Sequence, residues 1–383
     1  MILPMSPDDL PLKALLLPFD DGVLPWPPQG RIVFLRARAG WPLQRHPLTA
    51  LVAEQSLRPL ADALQQAGVD VHPHLDDGQS AALVLVLPPR QRDEARALFA
   101  RAVAMAGAGA RVVVAAANDE GARSHERDLR ALAGLDGSLS KFHCRVFWTP
   151  PLAGAHDAAL AAQWRLADAP RPILDGRFSS RPGVFAWDRI DPASALLAAQ
   201  LPASLAGRGA DLGAGWGYLA AEVLARAPGV RALDLYEAEA RALDLARSNL
   251  SAPTGTTLGF HWHDVTTGLP GGGYDFIVSN PPFHAHDRGD RPGLGQRFIE
   301  VAAQALRPGG RLFLVANRHL PYEATLARAF TGVQVLAQGG GFKVVEALKG
   351  GPLQERTPRE RAPKEWGSKQ RAAREWGSKE RAR

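Results

Sequence analysis

The segment from Tyr274 to Phe283 reads YDFIVSNPPF and places the tightest limits on how this chain can fold. Its first six residues are mainly aromatic and β-branched, as in a short buried strand. Two consecutive prolines then end the strand, because neither has an N–H group to donate to a sheet. Asn280 is therefore left at the carboxyl end of the strand, where open α/β sheets bind ligands. An amide side chain, the Pro281 carbonyl and the Phe283 ring at this position suit a planar group that bears an NH2.

Apolar runs alternate with helical patterns along the amino-terminal half. This alternation predicts a parallel sheet with crossover helices, and therefore an α/β fold. The 383 residues suffice for two domains, and we place their junction in the proline- and alanine-rich segment 150–172. The predicted strands are 31–38, 81–87 and 111–117, and the predicted helices are 48–68 and 90–108.

A weak internal repeat relates the two halves of the chain. The first copy has Leu87 where the second has Asn280, and no glycine-rich turn follows its first strand. We interpret the repeat as a duplicated domain whose amino-terminal copy has lost its chemistry; chance similarity between two α/β halves is the alternative. The repeated segments are 86–89 and 111–118 in the first copy, and 279–282 and 311–317 in the second.

The residues Asn280-Pro281-Pro282-Phe283 resemble the [DNS]-PP-[FYW] motif of S-adenosylmethionine-dependent methyltransferases that act on amino or amide nitrogen. The resemblance implies that the Asn280 oxygen and the Pro281 carbonyl accept hydrogen bonds from the target amino group, and that Phe283 stacks on the base. Because the methyl donor is already activated, the remaining work is mostly positioning. A strand followed by a proline-rich loop is the alternative for so short a motif.

A glycine turn follows an earlier strand, in the sequence Asp211-Leu-Gly213-Ala-Gly215-Trp-Gly217. Its spacing is one residue tighter than that of the GxGxxG fingerprint, which seats a pyrophosphate on a helix amino terminus. S-adenosylmethionine has no phosphate, so its turn needs only to let the backbone approach the ligand. Asp211 can accept hydrogen bonds from the ligand's ammonium group or from the turn itself. A tight strand–helix turn without a ligand is the alternative.

Acidic residues follow the next two strands. Glu237 comes twenty residues after the last glycine, where a carboxylate reaches ribose hydroxyls in nucleoside-binding sheets, and Asp234 and Glu239 compete for this role. Asp264 ends the following strand, near the expected adenine amino group. The glycine turn, these acids and Asn280 fall in order at four successive strand ends, so we predict that they form the S-adenosyl-L-methionine site.

The wider pattern resembles the ribosomal RNA small subunit methyltransferase C family, which methylates guanine N2. A sister family that acts on large-subunit RNA shares nearly all of the motifs. The resemblance implies two tandem Rossmann-like methyltransferase domains, a degenerate one in 1–165 that helps to hold RNA and a catalytic one in 172–349. The motifs are PGVF with a following aspartate, DLGAGWG, SNPPFH, VANRHLPY, FKV and, in the first half, SKFHCRVF.

The tail from 350 to 383 is not part of this resemblance. It holds ten Lys and Arg against five Asp and Glu, in a chain whose net charge is +6. The basic character is therefore mostly a property of the tail, and the rest of the chain is not predicted to be a broad basic patch. Two EWGSK repeats place tryptophans among cations, which favours an RNA tether; a solvated, disordered tail is the alternative.

Other residues exclude some classes of protein. The single cysteine, Cys144, excludes an internal disulfide and fits a reducing cytoplasm. The amino terminus does not read as a secretory signal, and no apolar run approaches the roughly 20 residues that span a bilayer, so no membrane partner is expected. His284 and His286 flank the NPPF motif, but with one cysteine and no HxxxH pattern we expect no metal.

Three alternatives to a guanine-N2 methyltransferase of small-subunit RNA stay open. One is the same reaction on large-subunit RNA, and another is methylation of adenine N6 or of a protein glutamine amide. The last is a non-catalytic RNA-binding assembly factor, which the intact glycines and Asn280 argue against. The interleaved basic and aromatic residues 140–148 either hold RNA or line a half-buried strand.

Overall fold

The computed structural model describes residues 9–78, 80–154, 156–282 and 292–351. Within these ranges strands and helices alternate along the chain. The strands are β1 (Ile32–Leu35), β2 (Leu51–Glu54), β3 (Asp70–His72), β4 (Ala81–Val86), β5 (Ala106–Ala117), β6 (Gly137–Lys141), β7 (Cys144–Trp148), β8 (Arg171–Ile173), β9 (Phe178–Ser180), β10 (Ala206–Leu212), β11 (Gly229–Glu237), β12 (Thr257–Trp262), β13 (Tyr274–Ser279), β14 (Leu306–Asn317), β15 (Gly332–Gly339) and β16 (Phe342–Leu348). The helices are α1 (Leu10–Asp20), α2 (Trp41–Gln44), α3 (Arg58–Gln66), α4 (Arg92–Met105), α5 (Ala122–Ala133), α6 (Ala158–Arg165), α7 (Pro192–Gln200), α8 (Tyr218–Arg226), α9 (Ala240–Asn249), α10 (Pro292–Ala305) and α11 (Glu323–Ala329).

Each half of the described chain forms a seven-stranded sheet with the same strand order. The order is β3-β2-β1-β4-β5-β7-β6 in the first half and β12-β11-β10-β13-β14-β16-β15 in the second. The pairs made by β7 and β16 are antiparallel, and the other pairs in both sheets are parallel. The strand order reverses between β10 and β13, which creates a topological switch point there. The predicted α/β fold with two tandem Rossmann-like sheets is confirmed.

The similarity between the halves extends to strand register. The pairing of β4 with β5 shifts just after Ala81, and the pairing of β13 with β14 shifts just after Tyr274. Strands β5 and β14 are both 12 residues long. The residue after β4 is Leu87 and the residue after β13 is Asn280, so these two residues occupy equivalent positions in the two sheets.

Both faces of the second sheet are buried, which explains why its strands read as nearly continuous apolar runs. Ile277 and Leu312 pack on one face with α10 and α11. Val278 and Phe313 pack on the other face with α7, α8 and α9. This two-sided core fixes the strand ends, and therefore the residues that follow them, as a rigid edge.

The predicted helix 48–68 is wrong in its first part. Leu51–Glu54 form β2, which pairs in parallel with β1, and α3 begins only at Arg58. Burial between neighbouring strands overrides the local helical periodicity, because sheet preference depends on packing more than on intrinsic propensity. Gly68, with a φ of +78°, lies just after the helix, as expected of a terminating glycine.

Residues 140–148 form a hairpin of β6 and β7. Phe142 and His143 occupy its turn with φ values of 55° and 56°. Phe147 and Trp148 are buried in the core of the first half. Those two rings are therefore core side chains, which favours the half-buried strand over an RNA contact for this part of the segment.

The two halves meet through equivalent loops, the ones that follow β2 and β11. The Arg58 amide donates to the Ala238 carbonyl at 2.8 Å, and the Ala240 amide donates to the Ser56 carbonyl at 2.9 Å. The Trp262 indole N–H lies 2.9 Å from the Ser56 carbonyl and 2.8 Å from the Ala238 carbonyl. The loop that follows Glu237 is thus fixed by the first half of the chain. Among the helices that the structure describes, none is long and apolar enough to cross a membrane.

Candidate active site

The glycine turn after β10 has the backbone geometry that its sequence predicts. Gly213, Gly215 and Gly217 have φ values of +77°, +55° and +93°, which residues other than glycine rarely adopt. A Cβ at Gly217 would lie 3.3 Å from the Ala246 Cβ, so this glycine also lets α8 pack closely on α9. At Gly215 nothing lies within 4 Å of the Cβ position among the described residues. The middle of the turn therefore faces open space.

Asp211 lies beneath this turn and is fully buried, with 0% of its surface exposed. Neither carboxylate oxygen makes a hydrogen bond of normal geometry within the described part of the chain. Burial, and then the nearby charge of Glu237, raises the pKa of Asp211 to about 8, while the Ala220 amide acts in the opposite direction. A buried carboxyl without a partner is costly, so this position suits a cationic ligand group.

Glu237 ends β11 and holds the turn. One of its carboxylate oxygens accepts a hydrogen bond from the Gly215 amide and the other accepts one from the Glu239 amide, both at 2.8 Å. Burial raises the pKa of Glu237, and the two amides act against that shift. Each oxygen retains a further lone pair, so the carboxylate can also accept from a ribose hydroxyl. Its role in shaping the turn is not apparent from the sequence.

The two competitors of Glu237 are engaged elsewhere. Asp234 accepts hydrogen bonds from Arg208 at 2.6 Å and from the Tyr274 hydroxyl at 2.8 Å. Glu239 pairs with Arg241, and that guanidinium holds the pKa of Glu239, despite its burial, at about 2. These partners favour Glu237 as the carboxylate that is available to a ligand.

Asp264 follows β12 and caps a short 3-10 helix, Val265–Thr267. One of its oxygens accepts hydrogen bonds from the Thr266 amide at 2.9 Å and from the Thr266 hydroxyl at 2.7 Å. Asp264 lies at the same edge as the glycine turn and Glu237, since β10, β11 and β12 are parallel neighbours. Its contact with adenine stays a prediction.

Asn280 follows β13, and its side-chain amide is held on one side only. The amide nitrogen donates to Asp191 Oδ2 at 2.9 Å and to Ser194 Oγ at 2.8 Å. The amide oxygen is buried and has no partner among the described residues. Pro281 is buried beside it. An acceptor is therefore presented at the end of β13, as the predicted recognition of an amino group requires.

Asp191 and Ser194 are not assigned a role from the sequence. Asp191 caps α7, and its Oδ2 accepts from the Ser194 amide at 2.8 Å. An aspartate followed by proline is a recognisable helix start, but this signal gives no hint of Asn280. Three residues of the predicted region, Phe283, His284 and His286, lie outside the described residues.

The residues present fit S-adenosylmethionine. The unpartnered Asp211 carboxyl, the open space at Gly215 and the carboxylate of Glu237 lie at adjoining strand ends. Together they can receive a cation, a close ligand backbone and ribose hydroxyls. Within 9–78, 80–154, 156–282 and 292–351, no group of three or more His, Cys, Asp or Glu could hold a metal ion.

Comparison with known proteins gives consistent results. Residues 175–346 match the methyltransferase small domain family. Ribosomal RNA small subunit methyltransferase C of Sodalis glossinidius is 31% identical over 338 residues, which cover 86% of this chain and 88% of that protein. Ribosomal RNA large subunit methyltransferase G of Streptomyces avermitilis is 32% identical, but over only 57% of this chain and 58% of that protein.

A solved structure is similar over nearly the whole chain. It is a T. thermophilus 16S rRNA N2 methyltransferase in complex with AdoMet and guanosine. The TM-score is 0.72 and the identity 25%, over 89% of this chain and 92% of that one. On this likeness, and on the length and identity of the Sodalis match, the chain belongs to the ribosomal RNA small subunit methyltransferase C family.

Proposed function

We propose that this protein transfers the methyl group of S-adenosyl-L-methionine to the exocyclic N2 amino group of a guanine in small-subunit ribosomal RNA. The observation that carries the proposal is the buried, unpartnered amide oxygen of Asn280, fixed at a strand end beside an S-adenosylmethionine-compatible turn. Membership of the methyltransferase family and the similar protein solved with AdoMet and guanosine support it.

The chemistry needs an acceptor at this place. The lone pair of the guanine amino nitrogen is delocalised into the ring, which makes the nitrogen a poor nucleophile. Hydrogen bonds from the amino group to the Asn280 oxygen and the Pro281 carbonyl would favour a pyramidal nitrogen with its lone pair free. A stacking role for Phe283 stays a prediction. Such a pocket admits only a single-stranded or flipped-out base.

The cofactor would be held by the residues at the ends of β10, β11 and β12. When bound, S-adenosylmethionine supplies an activated methyl group on a sulfonium. The glycine turn would let its backbone approach, Asp211 would accept from its ammonium group and Glu237 from its ribose hydroxyls. Asp264 would accept from the adenine amino group. Asn280 would lie next to the cofactor and the base.

The domain at 1–165 would position RNA, and the domain at 172–349 would carry out methyl transfer. Helix α5 carries three exposed arginines on one face, Arg123, Arg127 and Arg130. Their spacings of four and three residues form a strip that would contact phosphates. The tail spans 350–383, and its residues after 351 lie outside the described part of the chain. Its role as an RNA tether stays a proposal. The enzyme would act in the cytoplasm, with ribosomal RNA or a ribosomal subunit as its partner.

A transfer assay tests the function. The protein would be incubated with tritiated S-adenosylmethionine and, separately, small subunits, large subunits and naked ribosomal RNA from cells without the modification. We expect label in small-subunit RNA, recovered as N2-methylguanosine on nucleoside analysis, and none with Asn280→Ala. Label in N6-methyladenosine or in a protein glutamine would contradict the proposed target, and no transfer to any substrate would support a non-catalytic assembly factor.

Large-subunit RNA is the second candidate substrate. The S. avermitilis relative favours this substrate. Its identity to this chain is as high as that of the small-subunit relatives, but the match covers less of this chain. Methylguanosine found only in large-subunit RNA in the same assay would select this alternative.

A further inference from the structure

The amide of Asn280 can face two ways, and its surroundings decide which. Rotation by half a turn exchanges the oxygen and the nitrogen, which have nearly the same shape. Asp191 lies 2.9 Å from the nitrogen, and an ionised carboxylate can only accept hydrogen bonds. The exchanged orientation would place two oxygens against each other. The Asn280 oxygen is therefore turned away from Asp191, and it is the atom of the amide that has no partner among the described residues.

We propose that Asp191 and Ser194 are positioning residues for methyl transfer, which fix Asn280 with its oxygen towards the target nitrogen. This inference rests on the proposed function. Ser194 accepts the second N–H of the amide at 2.8 Å, so both hydrogens of the nitrogen are used and the side chain cannot swing. Asp191 and Ser194 are themselves held in place, because Asp191 caps α7 by accepting a hydrogen bond from the Ser194 amide.

The first half provides an internal comparison. Asp9 caps α1 just as Asp191 caps α7, and it accepts from the Leu12 amide at 3.0 Å. The capping role therefore needs only the aspartate. The equivalents of Ser194 and Asn280 are Leu12 and Leu87, so the serine and the asparagine are both absent from the half that lacks the glycine turn. A pair needed only for helix capping would not be restricted to one half.

The charge of Asp191 has a further consequence. During transfer the N–C bond forms and the S–C bond breaks, so the positive charge of the sulfonium passes to the guanine nitrogen. That nitrogen then releases one of its two original protons to water. A carboxylate behind the amide polarises it and makes its oxygen a stronger acceptor for the increasingly acidic N–H groups. Asp191 would thus stabilise the transition state more than the bound substrate.

Two substitutions separate orientation from capping. Asp191→Asn keeps a good capping residue but lets the Asn280 amide face either way, and Ser194→Ala removes one of its two anchors. We expect kcat to fall roughly 10- to 100-fold in Asp191→Asn and about 5- to 10-fold in Ser194→Ala. The S-adenosylmethionine Kd and the Tm should stay close to those of the wild type, because the changed side chains contact Asn280 and not Asp211, the glycine turn, Glu237 or Asp264.

Matched variants serve as controls. Asp157→Asn makes the same change at the cap of α6, where Asp157 accepts from the Leu160 amide at 2.9 Å, and should leave kcat unchanged. Ser194→Thr retains a hydroxyl and should recover most of the activity. Wild-type kcat in both Asp191→Asn and Ser194→Ala would overturn the inference, as would a loss that follows Tm alone. If the wild type methylates no guanine, the proposed function fails instead, independently of these variants.

Discussion

The turns after β1 and β10 occupy the same place in two sheets of the same order, yet they carry different side chains. Gly213 has a φ of +77°, and Arg36, its equivalent in the first half, has a φ of 53°. The next amide in each turn donates to the carbonyl of a residue at the end of the neighbouring strand, at 3.1 Å for both Ala37 and Ala214. The left-handed backbone has therefore been kept without the glycine that makes it easy.

The residue at the end of the neighbouring strand differs in the same way. Glu237 accepts the Gly215 amide, whereas its equivalent, Gln55, donates its side-chain amide to the Ala37 carbonyl at 2.7 Å. Both side chains also accept from the amide two residues later, at 2.8 and 2.9 Å. Local support of the loop is thus common to both halves. The carboxylate of Glu237 keeps a free lone pair on each of two oxygens for a ribose, whereas Gln55 keeps one on a single neutral oxygen.

Arginine side chains cross the edge of the first sheet. Arg36 and Arg241 donate to Glu94 at 2.9 and 2.7 Å, and Arg38 lies 3.3 Å from Asp9. Arg241 comes from α9 of the second half, so the second half helps to occupy the edge of the first sheet. The first sheet therefore shares the strand order of the second but carries different side chains at its strand ends.

The largest effect is expected from Gly215→Trp. An indole in the open middle of the turn, on a backbone with φ +55°, should abolish S-adenosylmethionine binding. Calorimetry should count one cofactor per wild-type chain and none in the variant. Arg38→Trp, at the equivalent position of the first half, should leave the count at one. Two cofactors per wild-type chain would contradict the division between the halves.

Asn280→Ala should lower turnover roughly 100- to 1000-fold, because a transition-state hydrogen bond of this kind is worth about 2.7–4 kcal/mol. S-adenosylmethionine affinity should change much less, and single-turnover transfer with calorimetry would measure the two separately. Full methyl transfer by the alanine variant would show that the amide oxygen is not the acceptor.

Asp211 predicts a pH dependence. Its pKa of about 8 in the free protein lies above the ordinary 3.8. Between these two pH values the Asp211 carboxyl is protonated in the folded protein and ionised in the unfolded chain. The stability of the free protein should therefore fall as pH rises from about 4 to 8. A bound cation favours the ionised form, so S-adenosylmethionine binding should release protons near pH 7, about one unit below that pKa.

Calorimetry in buffers of different ionisation enthalpy would count those protons, and thermal melts across pH would follow stability. Asp211→Asn should lose the proton release that comes from this carboxyl and flatten the decline in stability. An equal proton release in the variant would assign it to the ammonium group of the ligand instead.

The smallest effect is expected from the exposed arginines of α5, which we propose contact RNA. Arg123→Gln or Arg127→Gln should weaken RNA binding a few-fold and reduce the slope of log affinity against log salt by about 0.7–0.9 for each phosphate that is no longer neutralised. Arg231→Gln, an exposed arginine near the amino end of β11, is the matched control. Unchanged slopes in all variants would remove α5 from the RNA interface.

Features that depend on neighbouring residues could be predicted from the sequence. The strand ended by Pro281 and Pro282, the glycine turn and the acidic residue after β11 are all local patterns, so they predicted the second sheet and the order of its strand ends. The repeat likewise predicted that Leu87 and Asn280 occupy equivalent positions in the two sheets, and the loss of chemistry from the first half stays a prediction. Each of these rests on backbone preferences that a short segment carries with it.

Contacts between distant segments follow only from the tertiary structure. Asp191 and Asn280 are 89 residues apart, and nothing in either local sequence specifies that they meet. The strand at Leu51–Glu54 exists because β1 lies beside it, against a local pattern that indicates a helix. The pairing of 56–58 with 238–240 likewise joins the halves through backbone groups. Such contacts depend on the path of the whole chain, because backbone hydrogen bonds and buried polar groups take the partners that folding brings to them.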